Sequence, residues 1–154
     1  MTLNRRMPPP LRSMGDFQIV RPERSRMKNG MPLNVIRAGS QEVVRLDILI
    51  GGGQWHQTQA LQALFTNRML REGTTTMTSA QIAEKLDYYG AWLELSSAVN
   101  YGFITLYSLN KYFPSTLAII SDMLMNPAFP EKELEVVVES NRQQFLVNST
   151  RVEV

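Results

Sequence analysis

Hydrolytic metal chemistry needs nitrogen, sulfur or carboxylate donors gathered in one place. This sequence is poor in the first two, with one histidine, His56, and no cysteine in 154 residues. Catalytic zinc sites draw three protein ligands mostly from His and Cys and leave a position for water. A site built from His56 and carboxylates alone would therefore be weak, and His56 beside Trp55 reads as a surface or packing residue. The run Gly51-Gly52-Gly53 invites a phosphate-cradle reading, but Gln54-Trp55-His56 follows it. Neither G-x-x-x-x-G-K-[ST] nor G-x-G-x-x-G is completed, so the run reads as a flexible strand exit. The richest stretch that remains is ALFTNRMLREGTTTMTS, Ala63 to Ser79, which places Asn67, Arg68 and Glu72 within two helical turns. Arg68 could pair with Glu72 one turn along or with a substrate carboxylate, with Asn67 helping to position it; a solvated helix face would look the same.

The elements that must carry these residues are marked by periodicity and punctuation. Lys28-Asn29-Gly30 is a turn signal, and Met31 to Ile36 after it is short and apolar enough for a strand. Val43 to Ile50 alternates as a half-buried strand, and the short turn Ala38 to Gln41 predicts that these two strands form a hairpin. Leu61, Leu64, Phe65 and Met69 recur at helical spacing, predicting a helix from about His56 to Glu72 capped by Gly73. Thr78-Ser79-Ala80-Gln81 is a capping box opening a second helix that runs to Tyr88 or Tyr89. Ala91 to Ser97 and Phe103 to Ser108 read as a second hairpin around Asn100-Tyr101-Gly102. A third helix starts near Phe113-Pro114, buries Leu117, Ile120, Met123 and Leu124, and stops before Asn126-Pro127. A fourth starts with Pro130 at its first position and carries Glu131, Glu133 and Glu135 at its positive end. The order ββααββαα predicts an α+β fold in which a four-stranded antiparallel sheet carries its helices on one face.

Composition bounds the function. The first 28 residues hold seven Lys/Arg against Asp16 and Glu23, while the whole chain is only +2. With Phe17 as its one aromatic, this arm lacks a stacking platform, so nucleic acid is not an expected partner. It reads instead as a Pro-containing leader, residues 1–28, ahead of a domain at residues 29–154. No apolar run approaches the roughly 18 to 20 residues of a membrane span, and MTLNRRMPPP has no apolar stretch behind its charges. The expectation is a cytoplasmic globular protein. Arg151-Val152-Glu153-Val154 has no feature of a domain end, which suggests a longer natural protein cut inside or just after a helix, so that the domain is truncated at its C-terminus.

Four features now coincide in order and spacing: VVRLDILIGGG, MLREGT, TSAQIAEKLDYYGAWLELSS and DMLMNPAFPEKELE. Together they resemble the N-terminal half-domain of the pitrilysin/insulinase-type zinc metallopeptidases, a group that includes the mitochondrial processing peptidases and their non-catalytic relatives. The likeness runs from about Met31 to the end, and its most specific pieces are Met69-Leu70 with Gly73-Thr74 and Asn126-Pro127-Ala128-Phe129.

In that family the helix carries H-x-x-E-H, two zinc ligands and the water-activating glutamate. The resemblance implies that Leu64 and Arg68 stand at the histidine positions, Asn67 at the glutamate, and Gln143 or Gln144 near the third ligand. It thus implies a degenerate, non-catalytic member with no zinc of its own. It further implies that substrate in the family lies as an added strand along a sheet edge, here Glu94, Leu95 and Ser96. The expected role is a peptide-binding or structural partner of an active zinc-protease subunit or second half-domain, within an oligomer. Two alternatives stay open: a piece of a zinc endopeptidase whose metal centre lies in another part of the chain, and a purely structural assembly subunit.

Overall fold

The computed structural model describes Gly15 and residues 18–150. The Met7–Pro10 leader and Arg151–Val154 lie outside the described residues. Two compact units divide between Gln41 and Glu42.

The first unit contains an antiparallel hairpin of β1 (Glu23–Arg26) and β2 (Pro32–Val35). Gly30 makes its turn at φ 84°, and the Asn29 side chain accepts from the Met31 N–H. The turn signal at Lys28-Asn29-Gly30 is therefore real, but it joins β2 to residues assigned by composition to the basic arm. The predicted pairing of β2 with the following strand does not form.

In the second unit, β3 (Val43–Gly51), β5 (Tyr101–Leu109) and β4 (Trp92–Ser97) form an antiparallel sheet in the order β3-β5-β4. The sheet has three strands rather than four. Its helix-facing side contributes Leu46, Ile48, Leu93, Leu95, Ile104 and Leu106 to the core. Against them pack Leu70, then Ile82 and Leu86 of α2 (Ser79–Tyr88), then Ile119, Ile120 and Met123 of α3 (Phe113–Met125). The architecture is α+β, with the helices on one face of the sheet. The predicted capping box is present: Thr78 Oγ1 accepts from the Gln81 N–H, and Gln81 Oε1 accepts from the Thr78 N–H. α3 stops at Met125, as Asn126-Pro127 requires, but it buries Thr116 and Ile119 while Leu117 is exposed.

α1 (Gln62–Met69) is shorter than its periodicity suggests. Leu61 adopts a left-handed conformation at φ 67° and cannot extend the helix backwards. Gln57 Oε1 instead accepts from the Ala63 N–H, satisfying a donor that a helix start leaves free. Residues 54–56 form a separate single helical turn after the glycine run. That run is not a loose exit: the Gly52 and Gly53 N–H groups donate to Asn100 O, and a Cβ at Gly53 would overlap the Ala98 carbonyl oxygen. Only glycine allows this approach to the β4–β5 turn.

Candidate functional site

α4 (Glu131–Ser149) begins after Pro130, which caps the helix rather than occupying its first position, and it runs beside α1. The placement of both helices depends on a junction between two chain segments about fifty residues apart. Thr75 N–H donates to Asn126 O at 2.9 Å, Ala128 N–H donates to Gly73 O at 3.1 Å, and Thr74 bridges to Pro127. Gly73 sits at φ 148°, with Pro130 across from it. The two most specific pieces of the resemblance are thus one structural unit, the exit of α1 tied to the entry of α4.

Above this junction α1, α4 and β4 enclose a cleft of about 320 Å³ lined by Arg68, Arg71, Glu72, Leu95, Glu133 and Ser140, among others. Arg68 Nη1 donates to Asn141 Oδ1 at 2.9 Å. Glu133, Val137 and Asn141 are the half-buried positions of α4, a four-residue spacing that lays one stripe on α1. Burial raises the Glu72 carboxyl above its ordinary value; Arg71, 3.9 Å away, lowers it, and Glu133 raises it further.

Asn67 turns away from this cleft. It is 6% exposed, its Nδ2 donates to Phe103 O at a long 3.5 Å, and its Oδ1 has no partner among the described residues. Asn67 instead lines a second cleft of about 390 Å³ with His56, Leu70 and Phe129. Leu64 is half-buried and lines neither. Gln143 donates to Glu139 Oε1 at 3.2 Å, and neither it nor Gln144 lines the cleft. The α4 residues that face Arg68 are therefore Asn141 and its neighbours, which motif matching passed over. The Glu133, Val137, Asn141 spacing was the available signal.

β4 lies at an edge of the sheet, so the positions Glu94, Leu95 and Ser96 do occupy an edge strand. The Ala98 N–H to Tyr101 O bond sets the phase of its ladder. Pairs two apart, Ser96 with Phe103 and Glu94 with Thr105, then exchange main-chain bonds with β5. The main-chain groups of Leu93, Leu95 and Ser97 consequently face away from β5, and no strand of the described residues covers them.

Zinc requires ligands that donate electron pairs. Leu64 has none to give, Arg68 is a cation, and the Asn67 amide is buried against β5. No group of three or more His, Cys, Asp or Glu side chains is clustered to hold a metal among the described residues. The residues at these positions do not fit a zinc ion.

A three-stranded antiparallel sheet covered on one face, with a helix pair locked by a Gly-Thr/Asn-Pro junction, makes this unit an α+β domain. The family model described as Insulinase (Peptidase family M16) matches residues 35–152, and the chain belongs to that family. An uncharacterized zinc protease of Rickettsia bellii is 28% identical over 116 residues, covering 71% of this chain. Zinc protease YmxG of Bacillus subtilis is 24% identical over 110 residues, covering 70%. The chain spans 27% of the length of each of these relatives. Among solved structures, a peptidase M16 inactive domain from Pseudomonas fluorescens superimposes with TM-score 0.72 at 20% identity, covering 77% of this chain and 30% of its own. A protease from Helicobacter pylori gives 0.71 at 14%, covering 82% and 32%. These two likenesses support the fold. No helix of the described residues is long and apolar enough to cross a membrane.

Proposed function

We propose that this half-domain is non-catalytic and acts as a peptide-holding or structural partner of an active zinc-protease subunit or of a further half-domain. The observation that carries the reading is the substitution pattern on α1: Leu64, Asn67 and Arg68 remove the donors a hydrolytic cation needs, while the scaffold around them keeps its shape. The outward main-chain groups of β4 support the peptide-holding half of the proposal, because strand addition needs N–H and C=O groups and no particular side chain.

Two measurements test it on the 154-residue chain. Dialysed protein should retain far less than one zinc per chain, and it should leave an unfolded protein substrate uncleaved with or without added zinc. Stoichiometric zinc together with cleavage that a chelator abolishes would overturn the proposal. Strand addition is tested, against Leu95→Ala as a packing control because Leu95 also reaches the core, with Leu95→Pro, since proline there removes an N–H that faces away from β5. Binding of fluorescent extended peptides should be lost in this variant.

A further inference from the structure

The cleft between α1, α4 and β4 combines a half-buried cation with an open strand edge, and the two lie side by side. Arg68 lines the cleft together with Leu95, whose outward N–H and C=O are where an added strand would pair. The Arg68 guanidinium makes one hydrogen bond, to the neutral Asn141 amide oxygen, and no carboxylate lies within ion-pair distance of it among the described residues. A guanidinium offers five donors in a planar fork suited to a carboxylate. One of its donors is used here; the rest of the fork is unassigned.

The acidic residues of the same cleft do not cancel this charge locally. Glu72 lies one turn beyond Arg68 and is next to Arg71. Glu133 acts on Glu72 and sits eight residues from Asn141, about 12 Å along α4 at the helical rise per residue. Arg71 is the cation that partners Glu72, which leaves Arg68 as the cleft cation with no carboxylate partner among the described residues.

From this arrangement we infer that the cleft accepts a carboxylate of an extended peptide added along β4, and that Arg68 selects it. The inference rests on the strand-addition reading above and deepens it by naming the preferred ligand class. A carboxylate can come from an Asp or Glu side chain or from a peptide C-terminus, and both present the same planar acceptor to the guanidinium.

The test uses fluorescence polarisation with four labelled versions of one extended peptide and the full 154-residue chain. One version carries a central Glu and an amidated C-terminus. The second replaces that Glu by Gln and keeps the amide, and the third has Gln with a free C-terminal carboxylate. The fourth has Lys in place of the Glu. The Glu version, the free-carboxylate version or both should bind about tenfold tighter than the amidated Gln version, and the Lys version should bind weakest. Whichever acidic version gains tells which carboxylate the cleft takes. Arg68→Gln should erase the gain, bringing the acidic versions to the affinity of the amidated Gln version, and Arg68→Lys should keep part of it. Thermal melts check that both variants fold; if Arg68→Gln does not, Arg68→Lys and the Lys peptide still decide the question. Peptides that bind the wild type equally, whatever their charge, overturn the carboxylate inference and leave strand addition standing. Failure of all four to bind overturns both.

Discussion

α3 and α4 follow one another with five residues between them, yet they meet opposite surroundings. α3 places Thr116, Ile119, Ile120 and Met123 in the core, and three of these are 1% exposed or less. α4 is longer and buries nothing fully; Leu134, Val138 and Phe145, at spacings of four and seven, are 38%, 40% and 71% exposed. The difference separates two sources of order. α3 is held by apolar surface removed from water along its whole length, which stabilises in proportion to area. α4 is held by one half-buried stripe of mixed polarity on α1, Glu133, Val137 and Asn141, and by the junction at its start, where Asn126 to Ala128 bond to Gly73 and Thr75. Its outer face is available for another surface to cover, which is where the proposed partner role becomes physical.

The largest effect should come from deleting packing on the α3 side. Ile120→Ala should cost about 2–5 kcal/mol in denaturant unfolding, as buried aliphatic truncations do, whereas Leu134→Ala should change stability by no more than about 0.5 kcal/mol. Equal losses would break the contrast by showing that α4 is covered. Gly73→Ala attacks the junction, since an added Cβ would sit 3.4 Å from the Pro130 ring on a backbone at φ 148° that side chains avoid. A cost of about 1–3 kcal/mol is expected, with amide exchange rising in α4 before α3. Thr78→Ala should be smaller, about 1 kcal/mol, because it removes one cap from α2 and leaves both sides of the comparison in place.

How legible the molecule is from its sequence follows the same division. The Thr78/Gln81 cap, the β4–β5 hairpin and the Asn126-Pro127 stop are local, each fixed by a few adjacent residues, and all three were readable. What was not readable depends on distant partners. β3 pairs with β5, fifty or more residues away, and the Ala38–Gln41 turn that looks like a hairpin connects two separate units. The left-handed Leu61 breaks a helix that its periodicity would continue, because the Gln57 side chain takes over the capping. At the candidate site, motif spacing draws attention to Arg68 but not to Asn141, since which α4 residue meets α1 is set by the junction geometry and not by counting from the motif.

The subtlest test lies inside the cleft. Burial raises the Glu72 carboxyl, and the neighbouring Glu133 adds to this against the opposing pull of Arg71. A carboxyl whose folded-state value stands above its unfolded value binds its proton more tightly when folded. Its contribution is therefore fully present at pH below the ordinary glutamate value and is lost as pH rises through the raised folded value. Glu72→Gln keeps the shape and removes the charge, so this fall should disappear from the stability profile, and the variant should be at least as stable as the wild type at neutral pH. Because Gln cannot repel Glu133, exchange of α4 amides near that residue should slow at neutral pH while α3 stays unchanged. Because the depressed carboxyls of Asp47 and Asp122 make stability rise with pH in the acid range, the readout is wild type minus Glu72→Gln. A difference that rises across the window would mean that Arg71 outweighs burial and that Glu72 is an ion-paired rather than a desolvated acid.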